Sequence, residues 1–323
     1  MKDLILSGLI TVALITGTAG ATHAQAPEVQ VANLYDGNDS ENFLSIREEF
    51  KKRNPGYDFD YLSGVTEVDA RDYTQVVFVQ EIDGVTNQDV LGEVTVAGIR
   101  DSQKKSEAIV GDIIILHEGE MMNTDIEMGL LVFQVPVKPE NDLPPFIRPD
   151  WDPNITDVPG GCATEIDAYR RILLTWKEDV GEYIYHALNA HRVRIYDSFS
   201  HYHPVQGGFD EFYLVQIVKP GAKIITSEKV DYITSPDDVQ LSQVDGLIRE
   251  YELELGDLVY LPRGVMHRGF GGVVAQVITV PGFIPGSEIG VDHHLRAINE
   301  RLGLSGDEAL PFNEESSHEA VIR

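Results

Sequence analysis

His201-Tyr-His203, followed after a short loop by Asp210-Glu211, is the first of two informative stretches in this sequence. The second is Gly256-Asp-Leu-Val-Tyr-Leu-Pro262-Arg-Gly264-Val-Met-His267. Each lies beside an apolar run rich in β-branched and aromatic residues, which is typical of a strand. On an extended strand, residues two apart point to the same face, so the first two histidines project together. Three imidazoles and one carboxylate suit a divalent transition metal that keeps positions open for substrate. The stretches therefore predict a metal site formed by His201, His203, Glu211 and His267.

The segments around these residues predict how they meet. Glu211 opens the run Phe-Tyr-Leu-Val-Gln-Ile-Val, and the loop before it contains Gly207-Gly208. This pattern predicts a hairpin that returns Glu211 to the two histidines. In the second stretch Leu258-Val-Tyr-Leu is interpreted as a strand and Pro262-Arg-Gly264 as a tight turn, so that His267 is delivered just beyond the turn.

The two stretches resemble the signature motifs of the cupin superfamily. The second motif has the form Gly, five residues, Pro-x-Gly, two residues, His, and this sequence matches it at Gly256, Pro262, Gly264 and His267. The first has the form His-x-His, a few residues, then Glu. The resemblance implies a small double-stranded β-barrel, of the cupin or jelly-roll type, with the metal inside its mouth.

The first motif departs from the family pattern at two places. Seven residues separate His203 from Glu211, where the usual pattern has three or four, and Val218 stands where a glycine is expected after the following strand. We interpret the longer spacing as a lengthened hairpin tip from Val205 to Phe209, with the Gly-Gly pair as its turn.

An internal sequence repeat of the second motif predicts a second barrel. Gly111-Asp-Ile-Ile-Ile-Leu-His117-Glu-Gly119-Glu-Met-Met122 aligns without a gap on the stretch that ends at His267, with His117 in place of the proline and Met122 in place of the histidine. Upstream, Gln75 opens an apolar run and stands at the position of Glu211. The sequence therefore predicts an all-β chain of two double-stranded β-barrel lobes with a few peripheral helices, resembling bicupins, whose first lobe has lost its ligands. The alternative is that glycine-bounded apolar strands recur by chance.

These patterns divide the chain into five segments. A proline-rich and aspartate-rich stretch between the two lobes is interpreted as an extended connection. Residues from Glu165 to Trp176 are expected to begin the second lobe as a helix or an edge strand, and the polar tail from Gly306 is expected to be frayed. The predicted segments are a signal peptide (1–24), a degenerate lobe (25–135), a linker (136–164), a metal-binding lobe (165–305) and an acidic tail (306–323).

The amino terminus resembles a secretory signal peptide. Leu4 to Ile15 form an apolar run too short to span a bilayer comfortably, and small residues follow it. We therefore expect a periplasmic or secreted protein with no membrane contact after cleavage. The alternative is an uncleaved amino-terminal anchor.

Composition excludes some partners. The formal net charge of −28 repels nucleic acid and anionic membrane surfaces, so neither is an expected partner. Cys162 is the only cysteine, which excludes an intramolecular disulfide and argues against thiolate ligation of a metal. The expected partner is a small-molecule substrate, and both a monomer and a homodimer are compatible with the sequence.

The expected chemistry follows from the ligand set and the family resemblance. The leading hypothesis is a metal-dependent dioxygenase, an oxidoreductase acting on a small organic substrate, with Fe(II) favoured and Mn(II), Ni(II) or Zn(II) as alternatives. A second hypothesis is a Mn(II)- or Zn(II)-dependent lyase, decarboxylase or isomerase, and a third is a non-catalytic binder of metal or sugar.

Lewis-acid chemistry requires a proton donor near the metal. Tyr213 shares the strand face of Glu211, and Tyr260 lies on the strand of the second motif. Both are candidate catalytic residues. Arg263, in the turn before His267, is a candidate for binding a substrate carboxylate at the barrel mouth.

Overall fold

The computed structural model describes residues 28–98, 103–139, 143–155, 157 and 169–323. The predicted signal peptide and Cys162 lie outside the described residues. Within them, no helix combines the length and the apolar character that a membrane span requires.

The first lobe is a seven-stranded antiparallel sheet. Its strand order is β5-β4-β7-β3-β6-β8, with β2 paired to β7. The strands are β2 (Asp58–Val68), β3 (Thr74–Ile82), β4 (Gly92–Ala97), β5 (Gln103–Ala108), β6 (Ile113–Leu116), β7 (Met121–Val135) and β8 (Phe146–Ile147). Its interior is an apolar core built from alternate residues of these strands.

The second lobe is a ten-stranded sheet whose main path is β1-β15-β12-β16-β10-β9. The remaining strands, β11, β13, β14 and β17, complete the barrel on the other side. The strands are β1 (Gln30–Asn33), β9 (Arg170–Leu174), β10 (Asn189–Asp197), β11 (His201–Tyr202), β12 (Asp210–Val218), β13 (Lys223–Ser227), β14 (Arg249–Glu252), β15 (Asp257–Leu261), β16 (Met266–Val280) and β17 (Ile289–Gly290).

Helices are peripheral, as predicted. They are α1 (Glu41–Arg53), α2 (Val230–Ile233) and α3 (Asp292–Leu302), with short 3-10 helices at Leu34–Asp36, Pro236–Asp238, Leu241–Gly246, Gly306–Glu308 and Glu315–Ser317. The all-β, two-lobed fold class predicted from the sequence is therefore confirmed.

One long strand, β16, belongs to both halves of the second barrel. Its first part pairs with β11 and β13, and its second part pairs with β10 and β12. Between the two parts, Gly271 and Gly272 both have positive φ, and a Cβ on Gly271 would lie 2.5 Å from the carbonyl oxygen of Gly221. Only glycine fits such a bend. The strand thus turns the corner that closes the barrel.

The predicted hairpin between the histidines and Glu211 is wrong. Strands β11 and β12 do not pair with each other, because each pairs with a different part of β16. The histidines and the glutamate therefore come from two half-sheets that face each other across the barrel. A glycine does follow β12, at Gly221 rather than at position 218, because a bulge between Val215 and Ile217 and a longer turn shift its position.

The two lobes repeat each other strand by strand. β7 and β16 each contain 15 residues, and β3 and β12 each contain 9. Gln75 pairs with Leu116 and Gln134, just as Glu211 pairs with Leu261 and Thr279. Even the bulge recurs, after Val79 in one lobe and after Val215 in the other. The predicted internal repeat is confirmed.

The bulge residues join the lobes reciprocally. The side chain of Gln80 donates to the carbonyl of Val215 at 3.0 Å, and that of Gln216 donates to the carbonyl of Val79 at 3.5 Å. Both side chains are buried. Beside them a shared apolar core contains residues of both lobes and of α1, whose Phe50 ring lies 5.1 Å from that of Phe212.

The chain crosses between lobes at places that the sequence did not indicate. Strand β1 lies in the segment predicted as the first lobe, yet it pairs with β15 of the second. Strand β8 lies in the predicted linker, yet it pairs with β6 of the first lobe. Strand β9 is an edge strand at the start of the second lobe, one of the two expected forms.

The carboxyl-terminal tail is packed rather than frayed. The backbones of Glu288 and Arg323 exchange two hydrogen bonds of 3.0 Å, and Gly290 donates to Val321 at 2.8 Å. The tail therefore covers the outer edge of β17, which is the strand next to β11.

Candidate metal centre

The structure brings the four predicted ligands together. One nitrogen or oxygen atom from each of His201, His203, Glu211 and His267 lies within 4.8 Å of the others. All four side chains are buried. The Nε2 atom of each histidine and Oε1 of Glu211 make no hydrogen bond among the described residues. Four buried lone-pair atoms therefore converge without a hydrogen-bond donor among the described residues, which is the arrangement that a bound cation satisfies.

Backbone carbonyls orient the imidazoles. Nδ1 of His201 lies 3.1 Å from the carbonyl oxygen of Phe199, and Nδ1 of His267 lies 3.4 Å from that of Val265. A carbonyl only accepts, so Nδ1 carries the proton in each neutral ring and Nε2 is left with a bare lone pair. Nε2 of His267 then faces Oε1 of Glu211 at 3.2 Å. Two lone pairs this close are stable with a cation or a proton between them.

Burial sets the protonation of the cluster. It lowers the pKa of His201 and of His267 to about 4, and it lowers the pKa of His203 well below its usual range. Burial also raises the pKa of Glu211 to about 7. Neutral imidazoles are the form that binds a metal, so only the carboxyl group must lose a proton to a cation near neutral pH.

Aromatic rings line the outer side of the imidazoles. Phe199 stacks on His201 with ring centroids 4.3 Å apart, and Phe209 lies 3.9 Å from His203. Phe209 comes from the lengthened loop before β12. A Cβ on Gly208 would lie 2.3 Å from the carbonyl oxygen of Pro204, so this loop closes tightly enough to require glycine.

The opposite face of β12 anchors the site to the rest of the protein. Asp210 is fully buried and accepts hydrogen bonds from Asn54 (2.7 Å), Tyr260 (2.8 Å) and the Arg263 side chain (2.9 Å). Arg53 adds an ion pair at 3.3 Å. Burial alone would raise the pKa of Asp210, but the two guanidinium groups outweigh it and lower that pKa. Helix α1 ends at Arg53 and thereby fixes the strand that presents Glu211.

This network includes two of the three predicted catalytic residues, Tyr260 and Arg263. Tyr260 faces the core between the lobes and bonds to Asp210, because side chains alternate along β15 and Leu261 takes the inward face. The guanidinium of Arg263 bonds to Asp210 and to Asn54 at 2.6 Å, and the side chain is only 17% exposed. The structure brings neither residue to the cluster.

Tyr213 lies where the sequence placed it. Its side chain belongs to the core inside the barrel, on the face of Glu211. Its ring meets that of His267 edge-on, with centroids 6.2 Å apart. A catalytic role for Tyr213 stays a prediction.

Sequence reasoning missed a second carboxylate beside the cluster, Glu288. Antiparallel pairing places Gly290 opposite His201 and Ile289 opposite Tyr202, so the continued register brings Glu288 opposite His203. Cross-strand neighbours share a face, which directs this carboxyl group toward the imidazoles. Burial raises its pKa, and the charges of His201 and Glu211 also act on it. Glu288 directly precedes β17, which is only two residues long and gave no sequence signal.

The first lobe shows the same positions without ligands. Val68 pairs with Met122 as His201 pairs with His267, and both apolar side chains lie in the core of the first barrel. Gln75, at the position of Glu211, donates to the backbone carbonyl of Asp69 at 2.9 Å. Only the second lobe therefore groups metal ligands, within the described residues.

Comparison with known proteins adds distant structural likenesses only. No protein-family model and no curated relative matches the chain. A Bacillus subtilis oxalate decarboxylase with Mn(II) centres is 12% identical, with a TM-score of 0.45 over 93% of this chain and 85% of that one. AerE from Microcystis aeruginosa is 12% identical, with a TM-score of 0.43 over 69% of this chain and 86% of that one. Hazelnut vicilin is 10% identical, with a TM-score of 0.44 over 80% and 82%.

At this level of similarity none of these proteins indicates an activity for this chain. The repeated sheets and the buried cluster nevertheless show the architecture that the sequence motifs predicted. The described residues form two repeated β-sheet lobes, as the cupin resemblance implied, and the cluster of possible metal ligands lies in the second.

Proposed function

We propose that the second lobe is the active site of a metal-dependent enzyme that acts on a small organic substrate. The observation that carries this proposal is the convergence of four buried, unpartnered lone-pair atoms from His201, His203, Glu211 and His267. Their chemistry fits a divalent transition ion, which would supply a Lewis acid with positions open for a substrate.

Proton-transfer chemistry, as in a lyase, decarboxylase or isomerase, is the reaction class with the most support. Such a reaction needs a group that can hold or release a proton beside the metal. Glu288 supplies a carboxyl group on the imidazole face, and Tyr213 is the other candidate within the barrel.

Dioxygenase chemistry with Fe(II) is the second candidate. The aromatic rings of Phe199 and Phe209 against the histidines favour it, since a dry, apolar surround protects an oxidisable metal and its reactive products from water. Both candidates use the same four ligands.

Metal analysis of the protein recovered from its native compartment is the first test. The metal-free protein is then loaded anaerobically with Fe(II), Mn(II) or Zn(II) and offered carboxylic, enolic and phenolic substrates, while oxygen uptake, carbon dioxide release and proton exchange are followed. Turnover without oxygen uptake, lost in Glu288→Gln and kept in the exposed control Glu300→Gln, supports proton-transfer chemistry. Oxygen uptake only with Fe(II), unaffected by Glu288→Gln, supports the dioxygenase.

Two results would overturn the proposal as a whole. One is a protein that retains no transition metal. The other is a Glu211→Gln protein with unchanged metal content and activity. We also propose that the enzyme works in the periplasm or outside the cell, as the predicted signal peptide implies, and cell fractionation tests this location.

A further inference from the structure

The barrel interior holds polar groups beyond the four ligands and Glu288. Arg170 on β9 lies opposite Val193, and His191 on β10 lies opposite Val277. Both valines belong to the core inside the second barrel. Because cross-strand neighbours share a face, the guanidinium and this imidazole also point inward.

Some polar atoms on the same inner face of the barrel have no hydrogen-bond partner among the described residues. Nε2 of His191 and Oγ1 of Thr279 are buried and make no hydrogen bond among the described residues. Thr279 pairs with Glu211 across β12 and β16, and His191 is level with Val277, two residues further along β16. Buried polar atoms without partners are rare, and a polar ligand in the barrel would satisfy them.

The charge of Arg170 acts within this space. Burial has the largest effect on the groups near it, raising the pKa values of Glu211 and Glu288 and lowering that of His191. The positive charge of Arg170 acts in addition and lowers all three pKa values. Arg170 itself is half-buried and lies on β9, an edge strand of the sheet. In a chain of net charge −28, an anion needs such a fixed local cation in order to enter.

We propose that Arg170 and His191 form a carboxylate-binding subsite beside the metal cluster, so that the substrate is a small organic acid in its ionised form. The guanidinium fork matches the two oxygens of a carboxylate, and the imidazole supplies one further N–H donor. This inference deepens the proposed function and rests on it.

The test measures binding rather than turnover. Zinc-loaded protein is titrated calorimetrically with malonate and, as a neutral analogue of the same shape, with malonamide; zinc content is measured before and after. We expect Arg170→Gln to weaken malonate binding at least about tenfold, the usual effect of losing a hydrogen bond to a charged group, with malonamide binding and zinc content unchanged. Arg170→Lys should lose less, and His191→Phe should lose part of the affinity.

Arg171→Gln is the matched control, because Arg171 follows on the same strand but donates outward to the carbonyl of Ile155. Malonate binding that is equal in wild type, Arg170→Gln and Arg170→Lys, at full zinc content, would overturn the subsite and leave the proposed function standing. A wild-type protein that takes up no zinc, iron or manganese would instead overturn the proposed function.

Discussion

The two lobes share one scaffold, and among the described residues only the second lobe groups side chains that could hold a metal. Strand lengths, bulges and turn glycines recur at matching positions, yet Val68, Gln75 and Met122 stand where the second lobe has His201, Glu211 and His267. The first barrel is nevertheless well packed, with a continuous apolar interior. The scaffold therefore does not need the metal in order to fold. The residues at a few inward-facing positions decide whether a barrel can bind a metal.

A second difference lies on the outer face of the matching strands. Asp210, the centre of the ion network, corresponds to Thr74, a buried but uncharged side chain. The lobe that carries the ligands thus also carries the polar anchor that holds their strand in place.

Converting the cluster to its first-lobe form should have the largest effect. His267→Met introduces the residue found at the matching position, Met122. We expect metal affinity to fall by more than the about 10–100-fold typical of changes around a ligand, because a ligand itself is lost. Metal content after dialysis measures this, with Met122→Leu in the first lobe as the control. A His267→Met protein that keeps stoichiometric metal would show that the histidine is not a ligand.

Removing the anchor should destabilise the whole chain. Asp210→Thr copies the first lobe and leaves the charges of Arg53 and Arg263 without their buried partner, so we expect a loss of about 3–5 kcal/mol in the free energy of unfolding. Urea denaturation measures it. Thr74→Val, which removes an uncharged hydroxyl and leaves no buried charge without its partner, should change stability much less. Equal effects of the two substitutions would refute the asymmetry between the lobes.

The pH dependence of metal uptake should identify the carboxylate. Because the pKa of Glu211 is raised to about 7, a cation competes with its proton below that pH. Affinity should rise about tenfold per pH unit up to about 7 and then level off, since His201 and His267, with pKa values of about 4, are already neutral. Without metal, the contribution of Glu211 to the stability of the fold should fall as the pH rises from about 4.5 to about 7, because over this range its carboxyl group is protonated in the folded chain and ionised in the unfolded chain.

Competition with a metal indicator from pH 5 to 8 measures that curve. Glu211→Gln, which installs the residue of the first lobe, should bind more weakly and lose the pH dependence. A wild-type curve that is flat over this range would show that another group controls binding.

The smallest effect is expected for the reverse change in the first lobe. Gln75→Glu restores one carboxylate to a barrel that still has Val68 and Met122 in place of histidines. One ligand does not make a transition-metal site. Metal analysis should therefore find no additional bound ion, and a second equivalent of tightly bound metal would show that the first lobe holds ligands outside the matching positions.

The sequence predicted the features that depend on local pattern. Alternating apolar runs and the Gly111 and Gly256 repeats predicted both barrels, and the two-residue spacing of His201 and His203 predicted their shared face. The missed features depend on distant pairing. The strands beside β11 are β16 and the two-residue β17, both far away in the sequence. No local sequence pattern could therefore show that Glu288 points toward the cluster.

The internal comparison also explains the irregular first motif. Val68 stands at the position of His201, so Ala70 corresponds to His203, and four residues separate Ala70 from Gln75. Seven residues separate His203 from Glu211. The first lobe thus keeps the usual spacing although it has lost the ligands, and the second lobe has a longer loop that brings Phe209 against His203. Sequence comparison with the family alone could not show which lobe had changed.

The pairing of β1 with β15 has a consequence for how the chain is made. The first described strand, Gln30–Asn33, finds its partner only when residues 257–261 have left the ribosome. Domains usually fold in the order of their synthesis, but here the earliest strand waits for one of the last. The second barrel cannot be completed before residues 257–261 are available, so we expect the metal to be acquired in whichever compartment this part of the polypeptide folds.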